Sequence, residues 1–243
     1  MTSERSHHRL GAPSIALASV LVAFFAAAAQ ATAVHPYKKN EYPVITDGTA
    51  PSRKLSIAAH GGGELGDEGF HLYLMAEPTH TIIRRLPGVG GDNILDTAPD
   101  AFQARWSTDS QHVAVLFRFD RHILGMELYA IRDGRAQAVG GPILIDQVAG
   151  KATAQDYRLG SSVTTFSWLS ATRFALTERD VLSSDSPALK SKIGAFGRPL
   201  PGETPAADPD GSYFLDFSAE AVGELIAGNR YRITDLKPGR FDE

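Results

Sequence analysis

The chain has no cysteine among its 243 residues. This absence excludes disulfide bonds, a thiol nucleophile, thiolate metal sites and a lipid anchor attached at cysteine. Concentrated positive charge is also lacking, since 24 basic and 28 acidic residues give a formal net charge of −4. No stretch clusters lysine and arginine as phosphate recognition requires. We therefore expect no nucleic-acid partner, and a fold stabilised by its apolar core alone.

Long apolar runs are confined to the N-terminus. Two arginines precede a mostly apolar run over residues 15–29, and small residues then give an Ala-x-Ala cleavage pattern that ends at Ala33. The sequence predicts a signal peptide over residues 1–33 and a periplasmic or secreted mature protein that does not contact the membrane. The alternative is an uncleaved segment that anchors the protein in the inner membrane.

Downstream of the leader, short apolar runs alternate with Gly, Pro and Asp turns, and helical periodicity is scarce. Ten runs predict strands, at residues 55–59, 70–76, 81–86, 113–119, 126–132, 136–139, 162–169, 173–177, 212–217 and 230–236. One helix is predicted at residues 219–227, with Ser218 as its cap. We expect an extended N-terminal arm over residues 34–54, then a single all-β domain over residues 55–243. An irregular, proline-containing loop is predicted within that domain at residues 182–211.

The strands belong to units that repeat about every 60 residues. Tyr73 and Tyr129 occupy matching positions, and Trp106 and Trp168 form a second matching pair. A period of this length is typical of repeated antiparallel meanders. We assign the four aromatic side chains to the core, since they recur at equivalent positions.

The second unit, at about residues 104–139, carries the most specific motif of the chain. Residues 105–115 read Arg-Trp-Ser-Thr-Asp-Ser-Gln-His-Val-Ala-Val, and residues 127–131 read Glu-Leu-Tyr-Ala-Ile. This unit resembles one blade of a TolB-type, WD-repeat-like β-propeller, and two further units resemble it in degenerate form. The resemblance implies propeller-like antiparallel β-meander repeats, incomplete or open, with Val-Ala-Val packed on both faces. Such folds usually serve as rigid platforms for partner proteins or ligands. A two-sheet β-sandwich is the alternative architecture.

A glycine-rich loop between two predicted strands holds the candidate metal ligands. His60, Glu68 and His71 offer imidazole nitrogen and carboxylate oxygen, which suit Zn²⁺ or another divalent ion. Their spacing is not diagnostic, and a solvated acidic loop is the competing interpretation. The loop opens with His-Gly-Gly-Gly at residues 60–63, as in the oxyanion hole of some lipases and esterases, but the sequence lacks their Gly-x-Ser-x-Gly elbow. No cofactor other than such a divalent metal is predicted.

A charged hairpin tip is the candidate protein-binding feature. Arg118, Arg121 and His122 cluster around the turn between Phe119 and Ile123. Arginine in such a position can contact an acidic partner. Ordinary solubility of a hairpin turn is the alternative interpretation.

The sequence contains no complete catalytic set. It therefore predicts an exported, non-catalytic periplasmic binding or scaffold protein whose partner is an envelope protein or a small ligand. The alternative is a metal-dependent or other hydrolase with its site around His60 and His71.

Overall fold

The computed structural model describes residues 33–61, 69–91, 94–150, 156–200 and 212–241. The predicted signal peptide lies outside these residues, apart from Ala33. Within them the all-β prediction is confirmed, with thirteen strands and two short α-helices. The helices are α1 (Leu144–Ala149) and α2 (Pro187–Ile193). The strands are β1 (Val44–Thr49), β2 (Leu55–His60), β3 (His71–Ala76), β4 (Thr81–Gly90), β5 (Phe102–Trp106), β6 (His112–Asp120), β7 (Ile123–Arg132), β8 (Arg135–Ala138), β9 (Arg158–Trp168), β10 (Arg173–Ser184), β11 (Gly197–Pro199), β12 (Tyr213–Ile226) and β13 (Arg230–Pro238).

Twelve of these strands form three antiparallel meanders of four strands each. The first meander is β1 to β4, the second is β5 to β8, and the third is β9, β10, β12 and β13. Parallel contacts join neighbouring meanders, at Thr46 with Gln103 and at Ile123 with Ser162. In the sheet, the order of hydrogen-bonded neighbours begins at β11 and ends at β4, and the described strands do not close into a ring. The resemblance to TolB-type blades stays a prediction.

Two apolar cores lie between successive meanders. Val113 and Val115 of β6 belong to the core shared with the first meander, whereas Ala114 belongs to the core shared with the third. All three residues are completely buried, so the predicted packing of Val-Ala-Val on both faces is confirmed. The second meander thus lies between the other two. This arrangement differs from a two-sheet sandwich, which has a single interior.

Each tryptophan links its own meander to the one before it. Trp106 of β5 donates its indole N–H to Gly48 O of β1 over 3.0 Å, and Trp168 of β9 donates to Arg105 O of β5 over 2.7 Å. Both indoles are partly buried against the cores, as predicted. Tyr129 is fully buried and donates its hydroxyl to Pro87 O. Tyr73 was also predicted to lie in the core, but it belongs to neither of the two cores. Its side chain is partly buried against Tyr42, which precedes β1.

The helix predicted at residues 219–227 is wrong, since β12 continues to Ile226. Residue-by-residue pairing with β10 extends along β12 from Tyr213 to Glu224. Ala219, Ala221 and Gly223 alternate inward along the strand, and small residues are needed there because Phe174 lies over Gly223. Long-range pairing and packing override the local helix propensity of this segment.

Three other segments differ from the sequence prediction. Residues 44–49 of the predicted arm form β1, which pairs with β2. Within the predicted irregular loop, residues 187–193 form α2 and residues 197–199 form β11. Strand β10 runs to Ser184, well past its predicted end at residue 177. The sequence did not predict this extension, because Glu178 and Asp180 occupy inward positions of the strand that apolar residues usually fill.

Candidate ligand cavity

Two carboxyl groups lie on the inward, apolar face of β10. Phe174, Leu176, Glu178, Asp180 and Leu182 alternate along this face of the strand. Glu178 is 4% exposed and Asp180 is 3% exposed. Carboxyl groups are rarely buried so deeply unless their environment compensates them.

Glu178 is held by the first turn of α1. Its Oε2 accepts the N–H of Leu144 over 2.8 Å, and its Oε1 accepts the N–H of Ile145 over 2.9 Å. The residue before the helix, Ile143, provides no side-chain cap. Glu178 therefore satisfies two helix N–H groups that lack partners within the helix.

Asp180 has one buried oxygen without a hydrogen-bond partner. Its Oδ1 makes no hydrogen bond, and the side chains of Ser162 and Glu178 lie close enough to influence its pKa. Burial and the charge of Glu178 raise the pKa of Asp180 to about 8. Burial also raises the pKa of Glu178, although the two N–H groups of α1 oppose this rise. The two carboxyl groups therefore retain a proton between them at neutral pH.

A cavity of about 210 Å³ lies between the second and third meanders, and Asp180 lines it. Its other polar lining residues include Ser162 and Thr164. Glu127 also borders the cavity, but its carboxyl group lies against Gly88 of β4, and burial raises its pKa. Apolar side chains form much of the wall, among them Ile123, Met126, Ile143, Ile145 and Leu159. No lysine, arginine or histidine is found among the described lining residues. The cavity is therefore largely apolar, with two carboxylic residues of β10 in its lining.

The predicted protein-binding residues lie near this cavity in different environments. Arg118 forms a bidentate ion pair with Asp96, with two contacts of 2.7 Å, and is therefore engaged within the fold. Arg121 and His122 are exposed. The backbone oxygen of His122 accepts the N–H of Ser162, which places this turn beside the cavity wall. Binding of an acidic partner by this turn stays a prediction.

The structure places two of the three predicted metal ligands together. His60 and His71 are direct partners across β2 and β3, and so lie on the same face of the sheet. Glu68 lies outside the described residues. In the part of the chain that the structure describes, no group of three or more His, Asp or Glu side chains could hold a metal ion.

Both histidines have other hydrogen-bond partners. His60 Nδ1 donates to Glu41 O over 2.7 Å, and its ring stacks on Tyr42 with centroids 4.1 Å apart. His71 Nε2 accepts from the Arg85 guanidinium over 2.9 Å. Burial and the positive charge of Arg85 lower the pKa of His71. A metal at His71 Nε2 would have to displace Arg85, and the metal site stays a prediction.

Sequence reasoning missed Glu127, Glu178 and Asp180. A signal for two of them was present, because Glu178 and Asp180 continue the inward alternation that begins at Phe174. The cavity itself leaves no such signal, since its walls come from β6, β7, α1, β9 and β10.

Across the described ranges, no helix combines the length and apolar composition needed to cross a membrane. In comparisons with known proteins, the chain matches no family model and no curated protein sequence.

Proposed function

We propose that the protein is an exported, non-catalytic binding protein that holds a small ligand in the cavity between its second and third meanders. The observation that carries the proposal is Asp180 Oδ1, which is buried in the cavity wall without a hydrogen-bond partner. A buried polar atom left unsatisfied costs about 1–3 kcal/mol. A ligand that donates a hydrogen bond to this oxygen would recover that free energy.

The environment of Glu178 favours binding over catalysis. General acid–base chemistry by two carboxyl groups requires that both can reach the reacting atoms. Both oxygens of Glu178 accept N–H groups of α1. Glu178 therefore supports the architecture of the cavity, and Asp180 is left as the carboxyl group that faces a ligand.

Export is the second part of the proposal, and it is supported by the signal-peptide pattern over residues 1–33. A cavity in a rigid β scaffold suits a periplasmic protein that captures a ligand or presents it to an envelope partner. The exposed Arg121 and His122 beside the cavity are the surface we propose for such a partner. Fractionation of cells that express the tagged chain tests export, and retention in the cytoplasm would contradict it.

Ligand-observed NMR tests the use of the cavity. The probes are single-ring fragments that are neutral, cationic or anionic, and the proteins are the wild type and Thr164→Leu. Thr164 is a buried cavity-lining residue, so the larger side chain reduces the cavity volume. Thr165→Leu is the matched control, because the neighbouring Thr165 is exposed. We expect at least one fragment to bind the wild type and Thr165→Leu and to lose binding in Thr164→Leu. Equal binding to all three proteins, or no binding to the wild type, would contradict the proposal.

A further inference from the structure

We infer that the ligand is a small organic cation, a protonated primary amine with a compact apolar body, whose ammonium group binds beside Asp180. This inference rests on the proposed binding function and adds the chemical class of the ligand. It follows from the charge, the hydrogen-bonding groups and the size of the cavity.

The charge of the cavity favours a cation. Glu178 and Asp180 line it, and no described lining residue is basic. Asp146 of α1 adds negative charge nearby, since its charge contributes to the raised pKa of Glu178. A buried carboxyl group without a basic partner is stabilised by a positive ligand and destabilised by a negative one.

The hydrogen-bonding groups favour an ammonium group. A primary ammonium offers three donors, and the lining offers Asp180 Oδ1 together with the hydroxyl groups of Ser162 and Thr164. A divalent metal would need several anionic or neutral donors at short distance. Both Glu178 oxygens are engaged by α1, and no metal-holding group is found among the described residues.

The size and apolar lining of the cavity limit the body of the ligand. A cavity of about 150 Å³ lined by apolar side chains accommodates benzene. The volume here is about 210 Å³, which suits a single ring that carries a short aminomethyl group. Met126, Ile145 and Leu159 provide the apolar surface for such a ring.

Binding of an ammonium group should release a proton. The groups near Asp180 are Glu178 on the same strand, Tyr157 before β9 and the hydroxyl groups of Ser162 and Thr164 on β9. Asp146 of α1 and Tyr231 of β13 lie next to Glu178. None of these groups is a cation. A bound ammonium group therefore favours the ionised form of Asp180, and its proton leaves to solvent. The affinity for the amine then rises by up to about tenfold per pH unit below the pKa of Asp180.

Isothermal titration of the purified protein with benzylamine, benzyl alcohol and benzoate tests the inference. We expect benzylamine to bind at least tenfold more tightly than benzyl alcohol at pH 8, and benzoate not to bind. The benzylamine affinity should rise between pH 6 and pH 8. Titrations in phosphate and in HEPES, which differ in ionisation enthalpy, should report the release of a proton.

Asp180→Asn is the decisive variant. The substitution keeps the size of a side chain that is neutral in the unliganded protein at pH 7, so the fold should be retained. We expect it to remove the preference for benzylamine over benzyl alcohol. Asp235→Asn is the matched control, because Asp235 is exposed on β13, and it should bind as the wild type does.

The outcomes separate this inference from the proposed function. If benzyl alcohol binds as tightly as benzylamine and Thr164→Leu abolishes both, the cavity binds ligands and the amine assignment is overturned. Unchanged benzylamine affinity in Asp180→Asn also overturns the amine assignment. If none of the three compounds binds the wild type, the proposed use of the cavity fails as well.

Discussion

At the scale of single residues, Glu178 is a helix cap supplied from a distant part of the chain. It accepts two N–H groups of α1 that lie 33 and 34 residues earlier. Local sequence around α1 does not indicate this cap, since the residue before the helix is Ile143. The position of α1, and with it one wall of the cavity, therefore depends on a buried carboxyl group of β10.

We expect Glu178→Ala to reduce the free energy of unfolding by about 2–4 kcal/mol, because it leaves two buried N–H groups unsatisfied and creates a void. Glu178→Gln keeps one acceptor and should cost less. Urea denaturation followed by circular dichroism measures both effects. Glu224→Ala is the control, since Glu224 pairs with Arg232 on the surface and such pairs contribute about 0–1 kcal/mol. A cost for Glu178→Ala as small as that of the control would contradict the capping role.

Asp180 makes the stability of the unliganded protein fall as pH rises. Its folded-state pKa of about 8 lies above the ordinary value for aspartate. The folded state therefore holds more protons than the unfolded state between about pH 4 and pH 8. The stability that protonated Asp180 contributes to the folded state is fully present below about pH 4. It is lost progressively as pH rises to 8, and the free energy of unfolding no longer changes with this group above pH 8.

We expect Asp180→Asn to reduce this pH dependence, by at most about 1.4 kcal/mol per pH unit. The measurement is the difference in unfolding free energy between wild type and variant from pH 4 to pH 9. The variant should become relatively more stable as pH rises. A difference that does not change with pH would show that Asp180 titrates normally.

At the scale of elements, β12 shows how packing selects a strand where local sequence favours a helix. Gly223 lies under the ring of Phe174, which is completely buried. A Cβ atom at Gly223 would lie 2.3 Å from Cζ of Phe174. Glycine here reflects close contact between neighbouring strands rather than a turn.

We expect Gly223→Ala to destabilise the protein by about 1–3 kcal/mol through overpacking. Adding Phe174→Leu should recover part of that loss, which a double-mutant cycle in urea would measure. Gly160→Ala on β9 is the matched control, because a Cβ atom there makes only ordinary contacts, the nearest at 3.5 Å. Full additivity of Gly223→Ala and Phe174→Leu would argue against a steric clash.

The extent to which sequence predicts this fold differs between its elements. The ten predicted strands are present because alternation and turn residues are local signals. The end of β10 was missed because Glu178 and Asp180 interrupt the apolar pattern. Among the candidate site residues, the opposition of His60 and His71 could be anticipated from a hairpin. The ligand cavity could not, since residues from separate meanders such as Met126 and Leu159 meet only in the folded protein.

At the scale of the whole molecule, the described chain is a stack of three meanders held by two cores and two tryptophan hydrogen bonds. The two indole contacts are equivalent, since each reaches the first strand of the preceding meander. The middle meander contributes to both cores. Loss of either indole contact should therefore affect the unfolding of the whole stack.

We expect Trp106→Phe and Trp168→Phe each to cost about 1–3 kcal/mol, because each leaves a carbonyl without its donor and removes buried surface. Since Trp168 donates to the carbonyl of Arg105, the residue bonded to Trp106, the two sites are coupled through the backbone of β5, and the double variant should depart from additivity by more than about 0.5 kcal/mol. Urea unfolding followed by far-ultraviolet circular dichroism measures these costs, and Leu169→Ala, at an exposed position, is the control. A negligible cost at one tryptophan alone would contradict the equivalence of the two contacts.

Both tryptophans donate to residues that come earlier in the chain, by 58 and 63 positions. When the polypeptide emerges N-terminus first, from a ribosome or a secretion channel, the acceptor strand is already available before either indole appears. Each new meander can then pack on a completed one, since the acceptor of each indole is synthesised before the indole itself. The direction of these two hydrogen bonds therefore matches the order in which the chain becomes available for folding.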